Sequence, residues 1–306
     1  MTSRRRPSFL DLEPLASLRM SNVLVTGASG FVGSRLVAGL TNTHRVVALT
    51  RSPVERAAVA VNGTFTSPAD LARLDAHPID TVVHLAATTG GSSEEDALDI
   101  NVSGTRRLLR YCVDRGITRF VLASSIAAVG CLSKDFLPRT LPIPDDHPCD
   151  AVDAYGLSKA LMEDLACYFA RQRPDLDITM FRIGAVQPDT AEAVDENWLA
   201  SVVAPFVSLG GIVASDVVEA LARATNEGAG PGVHRVNLVA PLARTPLPTA
   251  DALRRVLGER ADQLDLSHYE KPGNEHASVY ATDGLERTYG FSASIDPATM
   301  TPGSRP

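Results

Sequence analysis

The chain has 306 residues, a formal net charge of −7, 44% apolar and 21% charged residues. This is ordinary globular composition with enough length for a well-buried core, and the acidic balance argues against binding to nucleic acid or to an anionic membrane. Four cysteines, Cys112, Cys131, Cys149 and Cys167, are widely spread with no CxxC pair. Their spacing argues against a zinc cluster or disulfide framework and fits reduced thiols, so no metal is expected.

The opening SRRRPSFL looks superficially like a twin-arginine leader, but Asp11, Glu13 and Arg19 interrupt the apolar run such a leader needs. Residues 1–19 are read as a flexible, solvated extension, and no stretch is apolar for long enough to span a membrane. A soluble, cytoplasmic protein is expected. NVLVTG (22–27) predicts a buried strand ending in glycine, and FVGSRLVAGL (31–40) has helical spacing. RVVALT (45–50) predicts a second strand, SPADLARLDA (67–76) a helix capped by Ser67, and TVVHLAA (81–87) a third strand. A long helical stretch over 94–114 closes at Gly116, before the strand RFVLASS (119–125). A loop rich in proline and aspartate runs from Lys134 to about Asp153. It is followed by the helix 154–172, the strand DITMFRIG (177–184), a helix over 215–225 and a strand over 232–239. Further helices are predicted near 249–260 and 283–289.

Strands alternating with helices at this interval predict an α/β fold: a doubly wound parallel sheet covered on both faces, with a small C-terminal substrate lobe. Residues 20–184 are assigned to the nucleotide-binding domain. Residues 185–306 are assigned mainly to the substrate lobe, with segments returning to the sheet. In such a sheet the ligand sits at the carboxyl ends of the strands. That rim holds Gly27, the Ala86–Gly91 loop, Ser124–Ser125 and Gly184.

Three glycines, Gly27, Gly30 and Gly33, occupy the first strand-to-helix corner. Gly27 permits a tight turn, Gly30 lets the backbone approach a pyrophosphate, and Gly33 lets the helix pack on the sheet, with the helix N-terminus facing the phosphates. A strand before and a helix after make this more than a glycine-rich turn. At the end of the second strand, Thr50 and Arg51 stand where an NAD binder places a carboxylate. An arginine there can grip a 2′-phosphate, so NADP is favoured over NAD; the bland alternative is a solvated loop arginine.

Tyr155 and Lys159 are four apart and share a helix face. A cation beside the phenol favours phenolate and lowers its pKa, which lets the tyrosine exchange a proton while a hydride moves. Ser124-Ser125 at a strand end can orient a substrate oxygen, or can simply form a turn. His84, inside an apolar strand, reads as a packed or hydrogen-bonded histidine rather than a ligand. Cys131 has no motif for a lowered thiol pKa.

The segments TGASGFVG (26–33), VVHLAA (82–87), NVSGTRRLL (101–109), RFVLASSIAAVG (119–130) and YGLSK (155–159) resemble extended short-chain dehydrogenases/reductases of the NAD(P)-dependent epimerase/dehydratase type. The resemblance covers residues 22 to about 184 and is weaker in SDVVEALARA and GLERTYGF. It implies a Rossmann-type doubly wound parallel sheet with a small C-terminal substrate lobe, and Ser125, Tyr155 and Lys159 as catalytic residues. It implies cofactor contacts from Gly27, Ser29, Gly30, Phe31, Val32, Arg51, Leu85, Ala86, Ala87, Asn101, Tyr155 and Lys159. Asn101 matches the asparagine of the family's NVxGT motif, where a structural role is equally open. Thr88, Thr89 and Ser92 sit in the rim loop; Thr88 and Ser125 are candidates for the substrate.

Departures narrow the activity. Ile126 and Ala127 replace the Asp-Glu pair of family dehydratases, which discounts elimination. Ala128-Val129-Gly130 replaces the usual VYG, and Thr64 replaces an aspartate that touches adenine. The segment between Arg182 and the SDVV helix is short for a nucleotide-holding insertion, which points to a small substrate. FRIGAVQPD (181–189) with Trp198 is locally similar to uronate dehydrogenases, and Arg182 could hold a substrate carboxylate or make a structural contact at the strand end. The expectation is an NAD(P)-dependent oxidoreductase, NADP favoured, acting on a small hydroxy or oxo compound such as a sugar or sugar acid. The alternatives are a sugar-nucleotide epimerase that retains its cofactor and a non-catalytic NADP-binding protein. A homodimer is expected through the helices after Asn101 and Tyr155.

Overall fold

The computed structural model describes residues 20–302; the extension expected over residues 1–19 lies outside them. The chain runs through β1 (Ser21–Thr26), α1 (Phe31–Leu40), β2 (His44–Thr50), β3 (Val59–Asn62), α2 (Pro68–Ala72), β4 (Thr81–His84), α3 (Glu94–Ala97), α4 (Thr105–Asp114), β5 (Arg119–Ser125), α5 (Ala154–Gln172) and β6 (Asp177–Ile183). It continues through β7 (Ala185–Gln187), α6 (Glu196–Leu199), α7 (Pro205–Ser208), β8 (Gly211–Val213), α8 (Ala214–Glu227), β9 (Gly232–Leu238), α9 (Thr249–Leu257), α10 (Asp283–Tyr289), β10 (Ile295–Asp296) and β11 (Thr301–Pro302).

Seven strands form one sheet in the order β3-β2-β1-β4-β5-β6-β9, and every pairing in it is parallel. The apolar runs read as strands are buried on both faces, as a parallel sheet demands. One face packs Leu36 and Val37 of α1 with Val217 and Leu221 of α8 and Tyr289 of α10. The other packs Leu108 and Leu109 of α4 with Met162 and Phe169 of α5. A third cluster, including Phe206, Leu253, Tyr269 and Tyr280, builds the core of the C-terminal lobe.

Strand order reverses between β1 and β4, so the crevice of the switch point opens beyond their carboxyl ends. The chain returns from the lobe to the sheet twice, first with α8 on the same face as α1 and β9 as the last strand, and then with α10 on that same face.

Several elements differ from expectation for local reasons. The strand expected to reach residue 87 ends at His84: Leu85 N–H still donates to Thr26 O (3.2 Å), after which the chain leaves the ladder. The helical stretch over 94–114 is three pieces, because residues 98–104 adopt π-helical geometry between α3 and α4. The helix over 67–76 starts as expected, Ser67 Oγ accepting from Asp70 N–H, but tightens to 3-10 geometry after Ala72. No helix among the described residues is long and apolar enough to cross a membrane.

Candidate active site

The glycine corner is built by close approach. Gly27 has φ +73°, and a Cβ there would lie 2.6 Å from the Ala86 amide nitrogen, so only glycine lets the β1 end sit against the Leu85–Ala87 segment. A Cβ on Gly33 would collide with the Gly27 carbonyl, which fixes how tightly α1 packs on the turn. Gly30 N–H donates to Gly27 O (3.0 Å) and Gly30 is the N-cap residue of α1, with no side chain capping that end. First-turn N–H groups, left by a helix without a partner, therefore face the crevice beside the exposed Ser29, Gly30 and Phe31. Val32, Leu85, Ala86, Ala87 and Thr88 are all partly exposed around the same crevice.

A cavity of about 580 Å³ opens beside this corner, lined by residues that include Ser29, Arg35, Glu55 and Arg56. Arg51, exposed, follows the end of β2 directly. The sequence reading named Arg51 alone. Arg35, one turn into α1 and stacked on Phe31 (4.2 Å), and Arg56 are further cations at this end. A cradle that excludes side chains, a bare helix N-terminus and a roomy basic cavity fit a dinucleotide.

At the carboxyl end of β5 the two serines diverge, as alternation along a strand requires. Ser124 Oγ donates to the Glu163 carboxylate (2.6 Å), away from the crevice. Ser125 Oγ caps the following turn, accepting from Ala127 N–H (3.1 Å), and also lies against the Tyr155 phenol. Asp153 Oδ1 accepts from Gly156 N–H (2.8 Å) and so sets where α5 begins. One turn on, the Lys159 ammonium stands 5.7 Å from the centroid of the Tyr155 ring and donates to Ala123 O (2.7 Å). Ser125, Tyr155 and Lys159 thus lie together at the carboxyl end of β5, two strands along the sheet from the glycine corner that ends β1.

The electrostatics of this trio differ from the sequence expectation. Burial raises the Tyr155 phenol above its ordinary pKa; the hydrogen bond with Ser125 opposes the rise and the Asp153 charge adds to it. Lys159 is not among the groups that lower it, because its charge is turned to the Ala123 carbonyl and the ring face rather than to the hydroxyl. Lys159 itself is pulled down to about 8 by burial, with the Glu163 carboxylate holding it up.

Asn101, within the π-helical turn, is committed to protein. Its Oδ1 accepts from Thr88 N–H (2.8 Å), and its Nδ2 donates to Thr88 O (2.9 Å) and Ser158 Oγ (2.9 Å). With these bonds it ties the rim loop to α5 and spends both of its amide N–H donors on protein. The extra backbone residue of a π-turn is what aims it there.

For Arg182 the structure takes the second of its two readings, a structural contact at the strand end. Its side chain is 1% exposed, and its guanidinium donates to Glu163 through Nε (3.0 Å) and Nη2 (2.9 Å) and to His147 O through Nη1 (2.8 Å). It is a structural partner of Glu163 and is not presented to a substrate carboxylate. Arg235 Nε binds the same carboxylate (3.0 Å). Burial works to raise the Glu163 carboxyl, but hydrogen bonds and charge from Arg182, with Ser124 and Arg235, hold it below the usual carboxylate range. Glu163 was not singled out in the sequence; its signal is the further four-residue step beyond Tyr155 and Lys159 on one helix face.

His84 bonds Thr26 Oγ1 through Nδ1 (2.6 Å) and Thr105 Oγ1 through Nε2 (2.8 Å), and burial pulls its pKa down to about 3. It is a neutral strut between β1, β4 and α4. Cys131 is buried, donates to Ile126 O (3.2 Å), and its thiol is pushed up to about 12, which removes it as a nucleophile. Among the described residues no group of His, Cys, Asp and Glu is arranged to hold a metal ion.

Residues 23–203 match the model of the NAD dependent epimerase/dehydratase family. A UDP-glucose 4-epimerase of Azospirillum brasilense is 30% identical over 156 residues, covering 47% of this chain and 43% of that protein. An L-arabinose 1-dehydrogenase (NAD(P)(+)) of Haloferax volcanii is 26% identical over 254 residues, covering 78% of this chain and 95% of that protein. Against UDP-glucose 4-epimerases such as the first, the chain spans about half of the relative's length. A solved short-chain dehydrogenase/reductase superfamily protein of Agrobacterium tumefaciens with bound NAD superposes with a TM-score of 0.66 at 23% identity, over 91% of this chain and 94% of that one.

Proposed function

The chain belongs to the NAD-dependent epimerase/dehydratase family, and we propose that within it the protein is an NADP-preferring oxidoreductase acting on a small hydroxy or oxo compound of the sugar class. The grouping of Ser125, Tyr155 and Lys159 at the carboxyl end of β5, two strands along the sheet from the glycine corner, carries this reading. The nicotinamide cofactor, when bound, supplies or accepts the hydride.

The chain's own residues do the rest. The α1 N-terminus and the Gly27–Gly33 corner hold the pyrophosphate. Ser125 donates a hydrogen bond to the reacting substrate oxygen and orients it. Tyr155 gives its proton to that oxygen in reduction and takes it back in oxidation. Lys159, anchored on Ala123 O, binds ribose, and in the assembled site its cation brings the phenol pKa down toward neutral pH. Asn101 keeps the rim loop and α5 in register. Arg51, with Arg35 and Arg56 nearby, favours a 2′-phosphate over the bare ribose hydroxyls.

Titrating the purified protein with NADPH and with NADH, followed by nicotinamide fluorescence, tests this. NADPH binds more tightly, and Arg51→Ala weakens NADPH about tenfold, the worth of one charge-assisted hydrogen bond, while leaving NADH unchanged. Equal affinities would remove the NADP preference. The epimerase relatives favour one second reading, a sugar-nucleotide epimerase; cofactor retained through purification with no net redox turnover would support it over the first.

A further inference from the structure

Asp153, the cap of α5, uses only one of its carboxylate oxygens. Oδ1 accepts from Gly156 N–H (2.8 Å), while Oδ2 is buried with no hydrogen-bond partner. Among the described residues Asp153 forms no ion pair. A cap needs one acceptor, and Asn or Ser supplies it as well as Asp. The dipole of α5 favours a negative cap, but it does not offset a second carboxylate oxygen sealed from water without a partner. A carboxylate here therefore carries a cost beyond its capping role, two residues before Tyr155.

The surroundings leave that charge acting on the phenol. A Cβ on Gly156 would lie 2.8 Å from Asp153 Oδ2 and 2.6 Å from Ala127 O, so the missing side chain lets the start of α5 close on the turn after β5. That turn is the one capped by Ser125, which lies against the Tyr155 phenol. The cations on α5 and on the strands behind it are directed elsewhere: Lys159 to Ala123 O, and Arg182 of β6 and Arg235 of β9 to Glu163. Glu94, Glu95 and Asp96 of α3 are exposed, as are Asp99 and Arg106 after it, and Arg110 of α4 pairs with Asp114. His84 of β4 and Cys131 beyond the turn are neutral. Burial raises the phenol first, and Asp153 is the one formal charge that acts on it, adding to the rise.

We propose that Asp153 is a positioning residue that commits Tyr155 to the role of proton donor, so that the site is set for reduction of a carbonyl compound. The inference rests on the oxidoreductase reading and deepens it from a hydroxy or oxo compound to the oxo compound. When the carbonyl carbon accepts hydride from the reduced nicotinamide, its C=O π pair moves to oxygen. The Tyr155 O–H proton closes the new hydroxyl, and water returns a proton to the phenolate. A phenol held protonated is ready for that step at neutral pH, whereas oxidation of an alcohol needs the phenolate that a neighbouring carboxylate disfavours. Asp153 and Lys159 thus act on Tyr155 in opposite senses, and their balance sets the pH at which it changes from proton donor to proton acceptor.

Tyrosinate absorbance in the near ultraviolet reads the protonation of Tyr155 directly. Subtracting the pH titration of Tyr155→Phe from that of wild type removes every other tyrosine, and the full chain is titrated both alone and saturated with NADPH. Wild type is expected to show no Tyr155 tyrosinate at neutral pH in either state. Asp153→Asn, measured against its own Tyr155→Phe double variant, keeps the cap, so its thermal midpoint stays near that of wild type. Its tyrosinate curve moves to lower pH by about half a unit or more, which is about a threefold gain in ionised fraction at a given pH. Asp153→Ser, a second cap without charge, moves the curve the same way and decides the matter where the amide variant does not fold. Tyrosinate already present in wild type at neutral pH overturns the proposal. So does a curve that stays put, or moves to higher pH, in the folded uncharged variants, which would leave Asp153 as a helix cap alone. Wild-type protein that binds no nicotinamide cofactor fails the oxidoreductase reading alone, because the effect of Asp153 is also read in the chain without cofactor.

Discussion

Replacing Glu163 by Gln removes the one carboxylate at the centre of a buried network on α5. Four donors converge on it: Ser124 Oγ, Arg182 Nε and Nη2, and Arg235 Nε, all within 3.0 Å. Glu163 and Arg182 are each 1% exposed, so the arginine left behind cannot recover its hydration. The neutral amide also turns an NH2 group toward one of the arginine donors. Breaking a buried pair from one side costs about 3–5 kcal/mol, against about 0–1 kcal/mol for the exposed pairs such as Arg254–Asp251. Guanidinium unfolding of Glu163→Gln, followed by Trp198 fluorescence, should show a loss in the upper range. Arg182→Met should lose less, because Arg235 and Ser124 still satisfy the carboxylate. The double variant should lose less than the two single losses added, by about 2 kcal/mol, since it no longer strands a buried charge. A loss below about 1 kcal/mol in Glu163→Gln, or strict additivity, would refute the reasoning. The same substitution has a functional reading: Glu163 holds the Lys159 pKa up, so its removal lowers that pKa further from about 8 and brings the alkaline loss of Lys159 charge closer to neutrality.

Tyr155→Phe should lower turnover by about 10²–10⁴-fold while NADPH affinity stays within a few-fold; full activity in this variant would rule out the tyrosine as acid/base. His84 is held neutral with its pKa at about 3, so the unfolded chain binds a proton that the native state refuses. Its contribution is present above the unfolded value of about 6.5 and is lost as pH falls toward about 3, at about 1.4 kcal/mol per pH unit. Unfolding curves between pH 7.5 and pH 5 should therefore show a flatter pH dependence in His84→Gln than in wild type, and parallel slopes would contradict this. Gly33→Ala should weaken NADPH and NADH alike, because the added methyl meets the Gly27 carbonyl and pushes the α1 N-terminus off the turn; selective loss of NADPH would place the defect at Arg51 instead.

What could be read from the sequence follows from which interactions are local. Gly27, Gly30 and Gly33 announce a strand–turn–helix corner because the reason for each glycine lies within a few residues or in the strand beside it. Tyr155 and Lys159 are legible because four residues is one helical turn. The parallel sheet is legible because burial on both faces leaves uninterrupted apolar runs. The short β3, β7 and β8 lack that signature, since three or four residues carry too little pattern, and what makes them strands is the neighbour they pair with. The two readings of Arg182 stayed open in the sequence for the same reason. A charge at a rim strand end reads as substrate-facing until the side chain across the sheet is known, and that partner, Glu163, is 19 residues earlier on a helix. Arg244 and Trp198 are 46 positions apart and meet only because β8 and the loop after β9 close on each other. The fold and the chemical trio are thus written in short-range spacing, whereas which charges at the strand ends are already spent on a carboxylate is set by partners distant in the chain, as Glu163 is for Arg182 and Arg235.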